Sequence, residues 1–187
     1  MKKFLLILVS LFIFIGLAPS YAAENNCQTS CTLVTGTDKM KVTYQIKDDK
    51  LIVGMSAKTT SWVAIGFGAT KDMKDATIVM GYIDKSNNPI LSNEFGIATT
   101  KHLSRSKLGG EPEGKLISGS LKNGETTIRF SLPLMTADAK YGKTFKSGKS
   151  IKVILAYGPN NAKNFTAYHA FRTEKTLTLP KLPTPTE

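Results

Sequence analysis

The chain has 187 residues and a formal net charge of +11, from 25 Lys and Arg against 14 Asp and Glu. The chain has two histidines and two cysteines, fewer than a hydrolase or a zinc enzyme usually needs. The sequence also has no phosphate-cradling glycine loop, and no serine, cysteine or acid pair stands in a known catalytic motif.

The first 22 residues are predicted to be a secretory signal peptide. Two lysines precede an almost wholly apolar run at 4–17, and residues 20–22 fit the small-x-small cleavage rule. The run is short for a membrane-spanning helix, so cleavage after Ala22 is favoured over an uncleaved anchor. We therefore expect an exported protein, periplasmic or extracellular.

The remaining chain is predicted to form one domain over residues 23–180, with a proline-rich disordered tail at 181–187. Without the two leader lysines the excess of basic residues is still nine. That charge would suit an acidic partner or an anionic membrane surface, but a soluble lysine-rich surface is the preferred interpretation. Nucleic acid is not an expected partner, because the exported chain has no basic run.

The two cysteines, Cys27 and Cys31, are predicted to form a disulfide near the mature N-terminus, since an oxidising compartment favours the bond. The small loop that they close limits its stabilising effect. Their spacing is not that of a redox Cys-x-x-Cys pair. With no Cys-x-x-Cys-His motif in the sequence, covalent c-type haem is excluded.

The first half of the domain reads as a series of strands. Alternating apolar residues at 42–46 and 51–55 flank an Asp-Asp turn and predict a hairpin. Nearly continuous apolar runs at 62–68 and 77–83 predict buried strands, and a short strand is predicted at 90–91.

The second half begins with residues 94–114, which are predicted to be irregular. Apolar runs on both sides of Asn123-Gly124 predict a hairpin with a type I′ turn. Further strands are predicted at 151–157, 165–172 and 176–179. About nine to eleven short strands with regular turn signals indicate an all-β, antiparallel β-sandwich.

His169 and Met73 are the candidate functional residues. On a strand over 165–172, His169 would share an apolar face with Phe165 and Phe171. A core histidine bonded to a backbone carbonyl is the ordinary interpretation of that pattern. Met73 lies in a charged loop, where packing gives no reason for it. The other histidine, His102, is expected to be an exposed loop residue.

Thioether and imidazole together form a recognised pair of haem iron ligands. A haem with Met73 and His169 on its two axial positions would pass electrons and would not bind oxygen. Met80 lies within a predicted strand and is more simply explained as a core residue.

Three segments resemble the DOMON domain, named after the N-terminal part of dopamine β-monooxygenase. The first contains Trp62-Val63-Ala64-Ile65-Gly66-Phe67-Gly68, then Met73, then residues 75–82. The second is residues 126–134, and the third is 153–158 followed by Tyr168-His169. The resemblance spans about residues 32–180.

The resemblance implies an immunoglobulin-like sandwich. Within the family, the chain resembles the haem b-binding branch. Members of that branch include the cytochrome domain of cellobiose dehydrogenase and plant ascorbate-reducible cytochromes b. Those members hold a non-covalent haem b in a slot at one end, using a loop methionine and a late histidine. The matching positions are Met73 and His169. Aromatic residues that are candidates to wall the slot, or to pack in the core, are Trp62, Phe67, Phe130, Tyr157 and Phe171.

The sequence thus predicts an exported electron carrier, not an enzyme, with a redox partner protein that is acidic or membrane-bound. The alternative is a haem-free carbohydrate-binding module, for which Tyr82 and Tyr168 would line the site. A redox enzyme is disfavoured, because two axial ligands leave no open iron position.

Overall fold

The computed structural model describes residues 39–181 in full and residues 31–34 as backbone only. The predicted signal peptide, the predicted Cys27–Cys31 disulfide and residues 182–187 of the predicted tail lie outside the fully described residues. Among the residues that are described, no helix is long and apolar enough to span a membrane.

Two antiparallel sheets make up the described part of the chain, and their eleven strands confirm the predicted β-sandwich. The five-stranded sheet has the order β1 (Cys31–Val34), β2 (Met40–Lys47), β3 (Lys50–Ala57), β9 (Glu125–Pro133) and β8 (Lys115–Lys122). The six-stranded sheet has the order β11 (Phe171–Thr178), β10 (Ser150–Tyr157), β4 (Val63–Phe67), β5 (Thr77–Ile83), β6 (Pro89–Ala98) and β7 (Lys101–Ser104).

Strand β4 contributes side chains to two apolar clusters, one on each face of the six-stranded sheet. Val63, Ile65 and Phe67 face the other sheet and join the main core, as the period of two along a strand requires. Ala64 lies on the outer face, in a second apolar cluster. Every residue of β4 is buried, which explains why its sequence is continuously apolar rather than alternating.

The predicted hairpin turns are present. Asn123 and Gly124 both have positive φ, 51° and 72°, between the paired strands β8 and β9. Asp48 and Asp49, with φ of 49° and 56°, make the equivalent turn between β2 and β3. Both pairs have the backbone that a two-residue hairpin needs, and Asn, Asp and Gly tolerate it best.

The prediction of an irregular segment at 94–114 was wrong over its first half. Strand β6 runs on to Ala98, β7 follows, and a short 3₁₀ helix spans Arg105–Leu108. The apolar pattern is absent because polar side chains pair on the outer face: Ser92 donates to Glu94, and Glu94 meets His102 on β7. His102 is therefore a half-buried strand residue, not an exposed loop residue.

The predicted strand at 165–172 was also wrong, since β11 begins only at Phe171 and residues 158–170 form a loop. Within it, the Asn164 side-chain oxygen accepts hydrogen bonds from the backbone amides of Thr166 and Ala167, at 3.0 Å each. Such a side-chain turn takes backbone donors away from a strand ladder. His169 consequently lies on a loop and not in an apolar strand row.

Candidate functional site

A cleft of about 600 Å³ lies on the outer face of the six-stranded sheet. It is flanked by two loops, the β4–β5 loop (68–76) and the β10–β11 loop (158–170). Its floor is formed by outward-facing residues of β4, β5 and β10, namely Ala64, Gly66, Ile78, Met80, Ile154 and Ala156. The cleft is on the sheet's face, whereas the family resemblance implied a slot at one end.

The floor is closed and almost wholly apolar. Cross-strand pairing places Ile154, Gly66 and Ile78 in one row. The two isoleucines close over the glycine, because a Cβ added at Gly66 would lie 2.7 Å from Ile154 Cγ1. Isoleucine side chains thus fill the centre of the floor and give an apolar surface that a flat apolar ligand could cover.

The β4–β5 loop brings Met73 to the cleft and is bonded to the neighbouring strands. The Met73 amide donates to the Thr99 carbonyl at 3.4 Å, and the Asp75 amide donates to the Gly96 carbonyl at 2.8 Å. Asp72 and Asp75 adopt positive φ, 51° and 64°, which turns the chain sharply on both sides of the methionine. Met73 itself is half-buried against the outer apolar cluster.

Gly96 on β6 permits this arrangement. A Cβ at this position would lie 1.6 Å from the Met73 carbonyl oxygen, so no other residue fits without moving the loop. The Gly96 amide also donates to the Ala76 carbonyl at 3.0 Å. Gly96 therefore fixes the distance between the β4–β5 loop and the sheet.

We predict that Gly96→Ala displaces Met73 from the cleft while the sandwich still folds. If the cleft binds haem through Met73, the expected results are loss of the iron–thioether absorption band and an affinity roughly 10–100-fold lower, the range for losing a supporting contact. Ile97→Ala, at the neighbouring half-exposed position, is the control and should change neither. An unchanged spectrum in Gly96→Ala would show that the close approach does not position Met73.

The β10–β11 loop carries His169 and is anchored at its other end. The Lys163 ammonium donates to the carbonyls of Thr60, at 2.7 Å, and Ile83, at 2.9 Å. The Phe165 ring packs edge-to-face on Tyr82, with centroids 4.9 Å apart. These contacts hold the loop over the edge of the cleft opposite the β4–β5 loop.

The environment of His169 favours its neutral form. Burial lowers the pKa of the His169 imidazole, and the positive charge of Arg172 lowers it further. The Tyr168 ring lies beside it, with centroids 4.0 Å apart, and is itself 76% exposed. A neutral imidazole is the state that binds a metal ion, so His169 is ready for ligation at neutral pH.

The aromatic candidates divide between two places. Trp62 lines the cleft, and its indole Nε1 is buried with no hydrogen-bond partner among the described residues. Phe67 and Phe130 are fully buried in the main core between the sheets. Tyr157 and Phe171 stack on each other at 5.2 Å and pack against that core. Of the five, only Trp62 is at the cleft; strand alternation turns the others inward.

Sequence reasoning did not place the charged and polar residues that line the cleft, which include the acidic Asp72 and Glu174. Lys101 and Arg172 line it, and neither has an ion-pair partner among residues 39–181. His102 also lines it, with Nδ1 3.2 Å from Glu94 Oε2. No local pattern marks Lys101, His102 and Arg172, because their position depends on the pairing of β6 with β7 and of β10 with β11.

Comparison with known protein families gives a match to the DOMON domain over residues 36–158, more than half of the chain. The chain belongs to the DOMON domain family. The matched segment includes Met73 and ends before His169. No curated protein sequence matches the chain.

Two solved structures with a similar fold are cytochrome domains of dehydrogenases. The cytochrome b domain of pyranose dehydrogenase from Coprinopsis cinerea superposes with a TM-score of 0.61 at 14% identity, covering 79% of this chain and 80% of that one. The cytochrome domain of Myriococcum thermophilum cellobiose dehydrogenase gives 0.58 at 11% identity, covering 80% and 81%. At identities this low, the similarity of this chain to the two domains shows the fold alone.

Proposed function

We propose that this DOMON protein binds one haem b non-covalently in the cleft, with Met73 and His169 as axial ligands, and carries electrons outside the cytoplasm. The observation that supports this most is that these two residues, from separate loops, line one apolar cleft. The named function of the similarly folded cytochrome domains agrees with it.

The residues present fit a haem. The cleft volume of about 600 Å³ lies within the usual range for small-molecule sites. Its floor is apolar, as a porphyrin face requires, and its two candidate donors are a thioether and a neutral imidazole. Lys101 and Arg172 are suitable partners for the two haem propionates, because charge-assisted hydrogen bonds to carboxylates are strong.

Bound haem would supply a reversible one-electron couple. Met73 and His169 would hold the iron from the two loops, which would leave no position open to oxygen or a substrate. A methionine ligand would favour the reduced state and raise the potential, and the apolar floor would keep water away. Nothing in this arrangement calls for a catalytic side chain, so we propose an electron carrier and not an enzyme.

Electron transfer requires a partner at the cleft, and the mouth has suitable chemistry. The exposed Tyr168 ring lies beside His169, and Lys101 and Arg172 add positive charge. Asp72 and Glu174 line the same cleft, and Glu174 is paired with Lys152 at 3.0 Å. An acidic or membrane-bound redox partner would therefore have to contact Lys101 and Arg172 themselves. Secretion of the chain, through the leader at residues 1–22, is part of this proposal.

A haem-free carbohydrate-binding module has less support. Such a module would present exposed aromatic rings, but Tyr82 is half-buried under Phe165. Tyr168 remains exposed. One exposed ring does not distinguish a sugar site from a docking contact, so the structure gives no reason to prefer this function.

The proposal is tested by titrating haem-free protein with haemin and following the absorption of the complex. We expect saturation at one haem per chain and a reducible product. A titration that rises without saturating, as haemin adsorbed non-specifically would give, contradicts the proposal. Saturable sugar binding by the same haem-free protein would then favour the alternative.

We also predict that the pKa of His169 in haem-free protein lies below the ordinary histidine value of about 6.5. Burial disfavours the charged ring and Arg172 repels it, so the neutral form persists to lower pH than in an exposed histidine. Titration by NMR measures this directly. Arg172→Gln should raise the His169 pKa, because it removes the repelling charge; a value at or above 6.5 in the unaltered protein would contradict this prediction.

A further inference from the structure

A carboxylate–histidine pair borders the cleft and has no part in the iron ligation proposed above. Glu94 on β6 and His102 on β7 both face outward, and the His102 Nδ1 lies 3.2 Å from the Glu94 Oε2. Glu94 is buried, while 24% of the His102 side chain is exposed. His102 lines the cleft, and Glu94 lies behind it.

Glu94 fixes the orientation and tautomer of the imidazole. Burial by itself would raise the pKa of Glu94, but hydrogen bonds from His102 and Ser92, with the charges of His102 and Lys107, hold it below the usual value. An ionised carboxylate only accepts hydrogen bonds, so His102 Nδ1 must donate. The other ring nitrogen, Nε2, is then the unprotonated one in neutral His102 and can accept a proton.

The pair belongs to a polar strip along one side of the cleft, beside its apolar floor. Thr99, Thr100, Lys101 and His102 all line it, at the β6–β7 turn. A haem lying on the apolar floor needs no imidazole here, because Met73 and His169 already supply its axial ligands. With Lys101 assigned to a haem propionate, a small polar molecule approaching from this side would meet two hydroxyls and an oriented base.

We propose that this strip is a contact site for hydroxyl-bearing electron donors of the hydroquinone class, and that His102 Nε2 accepts the proton that such a donor loses with its electron. The proposal rests on haem binding in the cleft. Donors of this class transfer an electron slowly while their hydroxyl remains protonated, so a base within hydrogen-bond reach accelerates the transfer.

The step is balanced. The O–H bond of the hydroquinone breaks, its proton goes to His102 Nε2, and one electron reduces ferric haem to ferrous haem. The donor leaves as a neutral phenoxyl radical, and two such radicals disproportionate to one quinone and one hydroquinone. His102 then returns its proton to water through its exposed edge.

The test compares two reductants in stopped-flow reduction of the haem-loaded protein. Hydroquinone loses a proton with its electron, whereas hexaammineruthenium(II) transfers an electron alone. For His102→Gln we expect the hydroquinone rate to fall at least about tenfold and the ruthenium rate to stay within about twofold, since general-base catalysis commonly contributes 100-fold or more. The hydroquinone reaction should be slower in D₂O, and that isotope effect should shrink in the variant.

Glu94→Gln is a second, milder variant. Its amide oxygen can still accept from Nδ1, but that hydrogen bond is no longer charge-assisted and orients the ring less firmly, so an intermediate loss of hydroquinone rate is expected. Equal losses with both reductants would overturn the proposal, because they indicate a shifted potential or a blocked haem edge. A changed haem spectrum in His102→Gln would also overturn it, since His102 would then be an iron ligand. Failure to load haem at all would contradict the proposed function instead.

Discussion

Replacing His169 with alanine should lower the affinity for haem by more than about 100-fold, because changes to supporting residues alone cost 10–100-fold. Imidazole is the stronger of the two ligands, and burial keeps His169 neutral and ready to bind. Met73→Ala should keep its haem, held by His169 and the apolar floor, but lose the thioether and shift the potential downward. Haemin titration and a redox titration measure the two effects.

Met135→Ala is the matched control for the methionine variant. Met135 is 79% exposed, is no part of the cleft lining, and should alter neither affinity nor spectrum. If His169→Ala binds haem as tightly as the unaltered protein, His169 is not an axial ligand. If Met73→Ala leaves the spectrum unchanged, the second ligand is another residue.

Loss of Arg105 should destabilise the fold more than any surface change. Its guanidinium is fully buried and bonds Glu113 through both terminal nitrogens, at 3.2 Å each, and Asp138 at 2.9 Å. Arg105→Met keeps much of the side-chain volume but leaves two largely buried carboxylates without a counter-charge. Breaking a buried ion pair in this way costs about 3–5 kcal/mol. Urea unfolding should show that decrease in the free energy of unfolding.

Lys107→Ala supplies the comparison for the arginine variant. Lys107 lies two residues further along the same 3₁₀ helix and is exposed, so its replacement should change the unfolding free energy by no more than about 0.5 kcal/mol. A decrease below about 1 kcal/mol for Arg105→Met would indicate that water reaches the two carboxylates and that the cluster is not a closed network.

Much of the fold could be predicted because two local signals are strong. The Asn123-Gly124 pair requires a backbone that few other residues adopt, and it marked a hairpin that the structure contains. The apolar run around Ile65 marked a strand covered on both faces. Each signal depends on residues adjacent in sequence, so no long-range information was needed.

The hairpin of β6 and β7 could not be predicted, since its stability comes from partners across strands. Glu94 and His102 look like surface residues until pairing places one beside the other. The loop before β11 was misassigned for the opposite reason. Phe165 to Arg172 alternates like a strand, but the Asn164 side chain competes for the backbone amides that follow it.

The candidate site was predicted in part. The sequence singled out Met73 and His169, and both lie at one cleft. It gave no means of choosing among the aromatic residues, because Phe67 and Phe130 have the hydrophobicity of a haem wall and lie in the core instead. Whether a side chain faces the core or the cleft decides between the two roles. A one-residue change of strand register would exchange the two faces.

The absorption spectrum of the haem-loaded protein, recorded oxidised and reduced, tests the ligation most directly. Ligation by Met73 and His169 predicts a six-coordinate low-spin haem, a sharp α band on reduction, and in the oxidised state the weak long-wavelength band of an iron–thioether bond. That weak band should vanish in Met73→Ala and persist in Met135→Ala. A high-spin spectrum with an open iron position, or a low-spin spectrum indifferent to Met73, would contradict the proposed axial pair.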